Sequence, residues 1–182
     1  KSAYHSIANK YLPNPPSAPW KKIWNLNAPE RLKMFLRRIG VNVLPTRENL
    51  LKRFDVVDSS SVHCGADPES AIHVFFTCPV ARALWHSACW GFRADEAHIQ
   101  SFEDIIKLVL EPPASICPNN ESWRVSLNMA LTLDGIWNLR NQVLFHEDKA
   151  DIQAATQQIQ FRLVEFSRIA TPNTYTTPPP SL

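Results

Sequence analysis

Prolines rather than glycines punctuate this chain. It holds 15 Pro and only 4 Gly, and between the prolines apolar residues recur at intervals of three and four. Leu32, Phe35, Leu36 and Ile39 follow i, i+3, i+4, i+7, the stripe that one helix face buries. Proline stops a helix or sits in its first turn, so the pattern predicts helices cut to length. Strand alternation is scarce. The expected fold is all-α, with about six to eight helices: an irregular multi-helix domain with a C-terminal pair of long helices.

Along the chain, residues 1–19 read as an N-terminal helix (Lys1 to Leu12) and a Pro-rich linker. Trp20, Ile23 and Trp24 then take helical spacing. Asn27 can cap the next helix, with Ala28 and Pro29 in its first turn. Thr46 caps a short helix whose apolar face is Leu50, Leu51 and Phe54. Asp58 to Ser61 is a polar loop. Asp67, Pro68 and Glu69 suit a helix start, and Pro79 ends that helix near Thr77 and opens another, with Val80, Ala83, Leu84 and Ala88 inward. Ser101 and Asp104 form a capping-box variant before Ile105, Ile106, Val109 and Leu110. Residues 91–120 are a variable connector, including a linker from Pro112 to Asn120. Residues 121–170 are a helical extension. One long helix ends at about His146. A second runs from Asp151 to about Arg168, with Ile152, Ala155, Ile159, Leu163 and Phe166 on one face. Residues 171–182 are a Pro/Thr-rich tail, expected to be extended or disordered.

Apolar residues make up 45% of the chain, enough for a core. No apolar run approaches the roughly 20 residues that span a bilayer, so no membrane contact is expected. The opening KSAYHSIANK is not a signal peptide, and the missing initial Met suggests a piece of a longer protein. Cys64, Cys78, Cys89 and Cys117 occur without other marks of secretion, which points to a reducing, intracellular compartment, nuclear or cytoplasmic. The net charge of +2 conceals a split. Residues 1–53 hold eleven Lys or Arg against Glu30 and Glu48, whereas the remainder is acidic. Lys21, Lys22, Arg31, Lys33, Arg37, Arg38 and Arg47 are the candidates for phosphate contact. The alternative is a solvated basic face.

The chemistry-bearing stretch runs from Ser61 to Pro79. Eight residues separate Cys64 from His73, and four separate His73 from Cys78. Zinc takes four N or S ligands, often one pair on a tight turn and another on or near a helix. His73 falls within a short helix and Cys78 at the start of the next, where thiolate is favoured. A C-x-x-C turn would need Cys at position 61, which is Ser61. His63 could substitute, but it adjoins Cys64, and neighbouring side chains rarely converge on one ion. Otherwise Cys64 and Cys78 are buried small residues and His73 an ordinary histidine. No phosphate-binding loop, nucleophile elbow or H-E-x-x-H is present. Asp134 is a lone carboxylate in a helical pattern. The pairs Trp20/Trp24 and Trp85/Trp90 can stack bases, although Trp at helical spacing is commonly core.

Five ordered blocks resemble one family. They are W-x-x-I-W at Trp20 to Trp24, P-E-R-L-K-x-F-L at Pro29 to Leu36, N-x-L-P-T-R-x-N-L at Asn42 to Leu50, C-G-x-x-x-E-S-x-x-H-x-F-x-x-C-P-x-A-x-x-x-W at Cys64 to Trp85, and I-W-x-x-R-N-x-x-x-F at Ile136 to Phe145. The first four are similar to the zinc-binding domain of plant LINE-type (non-LTR) retrotransposon reverse transcriptases, and the fifth resembles the helical segment that follows in such polyproteins. The resemblance identifies residues 20–90 as such a domain, with a small zinc-knuckle-like loop. The resemblance implies zinc ligands at Ser61, Cys64, His73 and Cys78, with position 61 departing from the pattern, so that zinc is bound weakly or lost. It implies RNA or DNA as partner, with reverse transcriptase and RNase H-like domains as neighbours in the polyprotein. It implies no catalytic activity for this piece. A structural spacer, or an inactive retroelement fragment that binds no nucleic acid, is the alternative.

Overall fold

The computed structural model describes residues 20–54, 58–65, 68–89, 91–116, 121–146 and 149–170. The helix expected over 1–12, the linker to Pro19 and the tail from 171 lie outside them, as do Asp67, Trp90 and Cys117. Among the described residues there are seven α-helices. They are α1 (Trp20–Trp24), α2 (Glu30–Gly40), α3 (Arg47–Leu51), α4 (Pro79–Ala88), α5 (Phe102–Leu110), α6 (Ser122–His146) and α7 (Ile152–Ala170). A π-helical turn, His73–Thr77, precedes α4, and a 3-10 turn, Ala114–Ile116, follows α5. No strand forms among these residues; Ser60 and Pro68 make one isolated antiparallel bridge. The all-α expectation and the pair of long C-terminal helices hold.

The middle of the fold is α6. Its residues from Val125 to Ile136 are buried without a break, and Leu139 and Arg140 continue that burial. A helix buried on every side has no polar face, and α6 meets α2, α4, α5, α7 and the π turn. The segment 121–170 thus shares one core with residues 20–90. Gly135 makes the closest approach: a Cβ there would stand 2.6 Å from Ile159 Cδ1. The buried stripe of α2 is Leu32, Phe35, Leu36 and Ile39, as spaced. A capping box starts α5, with Ser101 Oγ accepting from the Asp104 N–H at 3.1 Å and the Asp104 carboxylate accepting from the Ser101 N–H at 2.8 Å.

Four local expectations are corrected. Asn27 does not cap α2, because residues 25–28 form a turn and the Pro29 carbonyl receives the Leu32 and Lys33 N–H groups. Glu69 is not in a first helical turn. The chain turns tightly there, with the Ser70 N–H donating to the Pro68 carbonyl at 2.9 Å, and helix begins at Ala71, where Ser70 Oγ accepts from the His73 N–H at 3.0 Å. Leu50, Leu51 and Phe54 form no buried face. The five-residue α3 is peripheral, and Phe54 is exposed. On α4, Ala81 and Trp85 join Leu84 and Ala88 inside, while Val80 and Ala83 are half-buried.

Candidate metal centre and basic surface

The loop from Ser61 to Gly65 is a closed turn. Gly65 donates its N–H to the Ser61 carbonyl at 2.8 Å and takes φ +67°. That left-handed conformation suits glycine and accounts for the glycine after Cys64. Across the loop lies the π turn, in which the Cys78 N–H reaches back five residues to the His73 carbonyl at 2.9 Å. In an α-helix, residues five apart point roughly 140° apart. The wider π turn absorbs the extra residue, and such turns often mark functional sites. Trp85 Nε1 donates to the Phe75 carbonyl within this turn at 2.6 Å, and Phe76 stacks on the Trp85 ring at 5.5 Å between centroids.

These two pieces bring Cys64, His73 and Cys78 together. One ligand atom from each lies within 4.8 Å of the others, and Cys64 Sγ is 3.3 Å from His73 Nε2. Zinc–sulfur bonds of about 2.3 Å in a tetrahedron place ligand atoms roughly 3.8 Å apart, so small side-chain adjustments suffice. Thr77 Oγ1 is 3.1 Å from His73 Nδ1. When Nδ1–H donates to that hydroxyl, the Nε2 lone pair is left for a metal, the usual arrangement behind a ligating histidine. Cys78 is fully buried. Burial pushes its thiol up, and the Val80 and Ala81 backbone N–H groups at the start of α4 pull it down. Two sulfurs and an imidazole nitrogen are a zinc donor set.

Ser61 is buried at the start of the same turn. His63 stands apart from the cluster. It is half-buried, and its Nε2 lacks a hydrogen-bond partner. Burial lowers its pKa, against the raising effect of the Glu69 charge. Cys89 is also apart, with burial pushing its thiol up to about 12.

The group that anchors the loop is Glu69, which the Cys and His spacing does not reveal. Glu69 is fully buried. Its Oε1 accepts from the Arg47 N–H at 3.0 Å and from Arg140 Nη2 at 2.6 Å; its Oε2 accepts from the Val62 N–H at 3.2 Å and Arg140 Nε at 3.4 Å. One carboxylate therefore ties the Cys64 loop, the start of α3 and the middle helix α6. Arg140 also lies over the Trp137 ring, 5.1 Å from its centroid. Glu69 and Arg140 both stand in the sequence blocks quoted above, which was the available signal.

The seven basic candidates are not equivalent. Lys21, Arg31, Arg37 and Arg38 are exposed. Lys22 is exposed and pairs with Glu111 at 2.6 Å. Lys33 pairs with Glu30 at 2.9 Å. Arg47 is half-buried; its Nη1 binds Asp58 at 3.0 Å and the Ser60 carbonyl at 2.9 Å, fastening the loop before Ser61. Trp20 is half-buried, Trp24 exposed and Trp85 fully buried. Asp134 is a packing residue, paired with Arg162 at 2.6 Å.

A two-thiol, one-imidazole cluster on a turn and a helix start is the arrangement expected of a zinc-binding module. Residues 1–85 match the family described as zinc-binding in reverse transcriptase. The matched residues include Ser61, Cys64, His73 and Cys78. The chain is also 29% identical over 86 residues to a protein of Arabidopsis thaliana whose name assigns it provisionally to the ribonuclease H proteins. That match covers 47% of this chain and 14% of the relative, so the chain spans a small part of it. No solved structure matches. The family is an accessory, zinc-binding one rather than a catalytic one. No described helix is long and apolar enough to cross a membrane.

Proposed function

We propose that this chain is a non-catalytic, nucleic-acid-binding linker domain of a retroelement polyprotein, with a zinc site that has lost one thiolate. In such a polyprotein its neighbours would be reverse transcriptase and RNase H-like domains. The observation that carries the nucleic-acid reading is the outer face of α2. Arg31, Arg37 and Arg38 are exposed there, and no carboxylate pairs with them among the described residues. Lys21 lies on the adjoining α1. Unpaired guanidinium groups on one helix offer bidentate donors to phosphate.

Affinity should then fall steeply with salt, because each phosphate neutralised releases counterion. Anisotropy titrations of labelled RNA and DNA at several salt concentrations test this, using the wild type and the triple variant Arg31→Glu, Arg37→Glu, Arg38→Glu. The variant should bind more weakly and lower the salt slope by about 2 to 3. Unchanged affinity and slope would defeat the reading.

For zinc, Cys64 Sγ, His73 Nε2 and Cys78 Sγ are the donors. Bound zinc would cross-link the loop to the π turn and supply folding energy rather than a reaction. With serine at position 61, zinc binds weakly, and Ser61→Cys strengthens it. Calorimetric titration of zinc into both forms decides this; equal affinities would mean that position 61 is not a ligand position.

A further inference from the structure

A cleft of about 550 Å³ opens between the start of α2, the last turns of α6 and the face of α7. Its volume is that of a small-molecule site. The walls include Arg31 from α2, Asn141, Gln142, Phe145 and His146 from α6, and Gln158 from α7. No Asp or Glu lines it. The Asp134 carboxylate, which reaches two of the lining residues, is already engaged by Arg162 at 2.6 Å and Asn138 at 3.1 Å. The Arg31 charge therefore meets no acid in the cleft.

Two further features give the cleft a chemistry. Phe145 is 73% exposed at its rim. A bare aromatic ring beside polar walls is a stacking platform rather than a piece of core. The amides are set for hydrogen bonding: Asn141 Oδ1 accepts from Arg140 at 3.1 Å, which orients its NH2 as a donor. Gln142 and Gln158 add donors and acceptors to the same wall. An aromatic face, amide edges and, besides the Asp134-bound Arg162, the Arg31 cation match a nucleobase joined to a phosphate. The bases of a duplex are already stacked on one another, so only an unpaired strand offers a free base face.

We propose that this cleft is a single-strand nucleic-acid site, in which a base stacks on Phe145, meets the amide wall, and leaves its phosphate on Arg31. This rests on the nucleic-acid reading above and adds residues that lie outside the matched family segment. The test titrates a labelled oligouridylate, the matching oligothymidylate and a duplex of equal length into the full chain, wild type, Phe145→Ala and Phe145→Trp. Loss of one stacked base weakens binding about tenfold. Phe145→Ala should weaken single-strand binding by that factor, leave duplex binding unchanged, and be rescued by Phe145→Trp. Because Phe145 is exposed, the thermal melt should not move, which separates a lost contact from a lost fold. The RNA and DNA arms show whether the site needs the 2′-hydroxyl, and tight binding of either strand supports it. If the wild type binds single strands and Phe145→Ala binds them equally well, the cleft is overturned while the nucleic-acid reading stands. An equal loss on the duplex overturns stacking in the cleft. If the wild type binds neither form, both readings fall.

Discussion

Replacing Arg140 with methionine removes the only cation against Glu69 among the described residues and keeps most of the apolar stem. Both side chains are almost wholly buried, at 3% and 0% exposed. The Arg47 and Val62 N–H groups would still reach the carboxylate, but they do not neutralise it. Breaking a buried pair by removing one partner costs about 3–5 kcal/mol, because an uncompensated charge stays behind. For a chain of this size each kcal/mol lowers the melting temperature by about 2–4 °C, so a drop of roughly 10 °C is expected. Adding Glu69→Gln removes the stranded charge, and the double variant should recover part of the loss. Urea denaturation of the wild type, both single variants and the double variant gives the coupling energy directly. Losses below about 1 kcal/mol for Arg140→Met, or additive single effects, would refute the picture of one charge holding three segments. Because Glu69 Oε2 holds Val62, two residues before Cys64, Arg140→Met should also weaken zinc binding.

Three further outcomes follow from particular contacts. Gly135→Ala places a Cβ 2.6 Å from Ile159 Cδ1 and should cost about 1–3 kcal/mol by overpacking; Ile159→Val, which deletes that atom, should restore part of it in a thermal melt. Thr77→Val removes the hydroxyl that orients His73 and should lower zinc affinity about 10-fold or more, measured by chelator competition, without a matching loss of helix signal. Ser101→Ala should cost about 1 kcal/mol at neutral pH. The Ser101 hydroxyl holds Asp104 below its ordinary value of 3.8. The stability added by the Ser101 hydroxyl bond to the carboxylate is present above that value and lost as pH falls through the lowered one, whereas the bond that Ser101 Oγ accepts from the Asp104 N–H does not titrate; the gap between variant and wild type should narrow in acid without closing, and a gap that does not change with pH would count against the carboxylate half of the capping box.

Much of this arrangement was legible in the sequence because it is local. Helix periods, the Thr46 cap, the Ser101–Asp104 box and the Pro79 start each depend on residues within one turn. The Cys64, His73 and Cys78 convergence was also readable, since the two halves of the site are separately local and a family pattern joins them. What was not legible was non-local. Asp67 to Glu69 has the composition of a helix start, yet Glu69 is drawn into the core by Arg140, 71 residues away. The reach of that pair outweighs a local preference worth about 1 kcal/mol. The basic residues show the same division. Their number was plain, but only the fold separates Arg47, fastened to Asp58 and Ser60, from Arg31, Arg37 and Arg38. The extra residue between His73 and Cys78 was visible as a spacing, and the π turn that accommodates it was not.

A zinc module that loses a thiolate would normally lose its fold with the metal, because binding energy there is folding energy. This chain is built differently. The Cys64 loop is closed by the Gly65 to Ser61 hydrogen bond and held through Val62 by Glu69. The π turn is held by the Trp85 indole and packed on Phe35 and Trp137 through Phe75. Neither anchor passes through the metal ligands. Beneath them, a core running from Ile23 to Leu163, of which Cys78 is only one member, supplies apolar burial whether or not metal is bound. Stripping metal with a chelator should therefore leave the helical circular-dichroism signal intact and lower the melting temperature by only a few degrees, about 1 kcal/mol. Under the same treatment Ser61→Cys should show the larger loss, since more of its stability would come from bound zinc. Cooperative unfolding of the wild type on chelation would contradict this, and would mean that the metal, rather than Glu69 and the aromatic core, holds the loop in place.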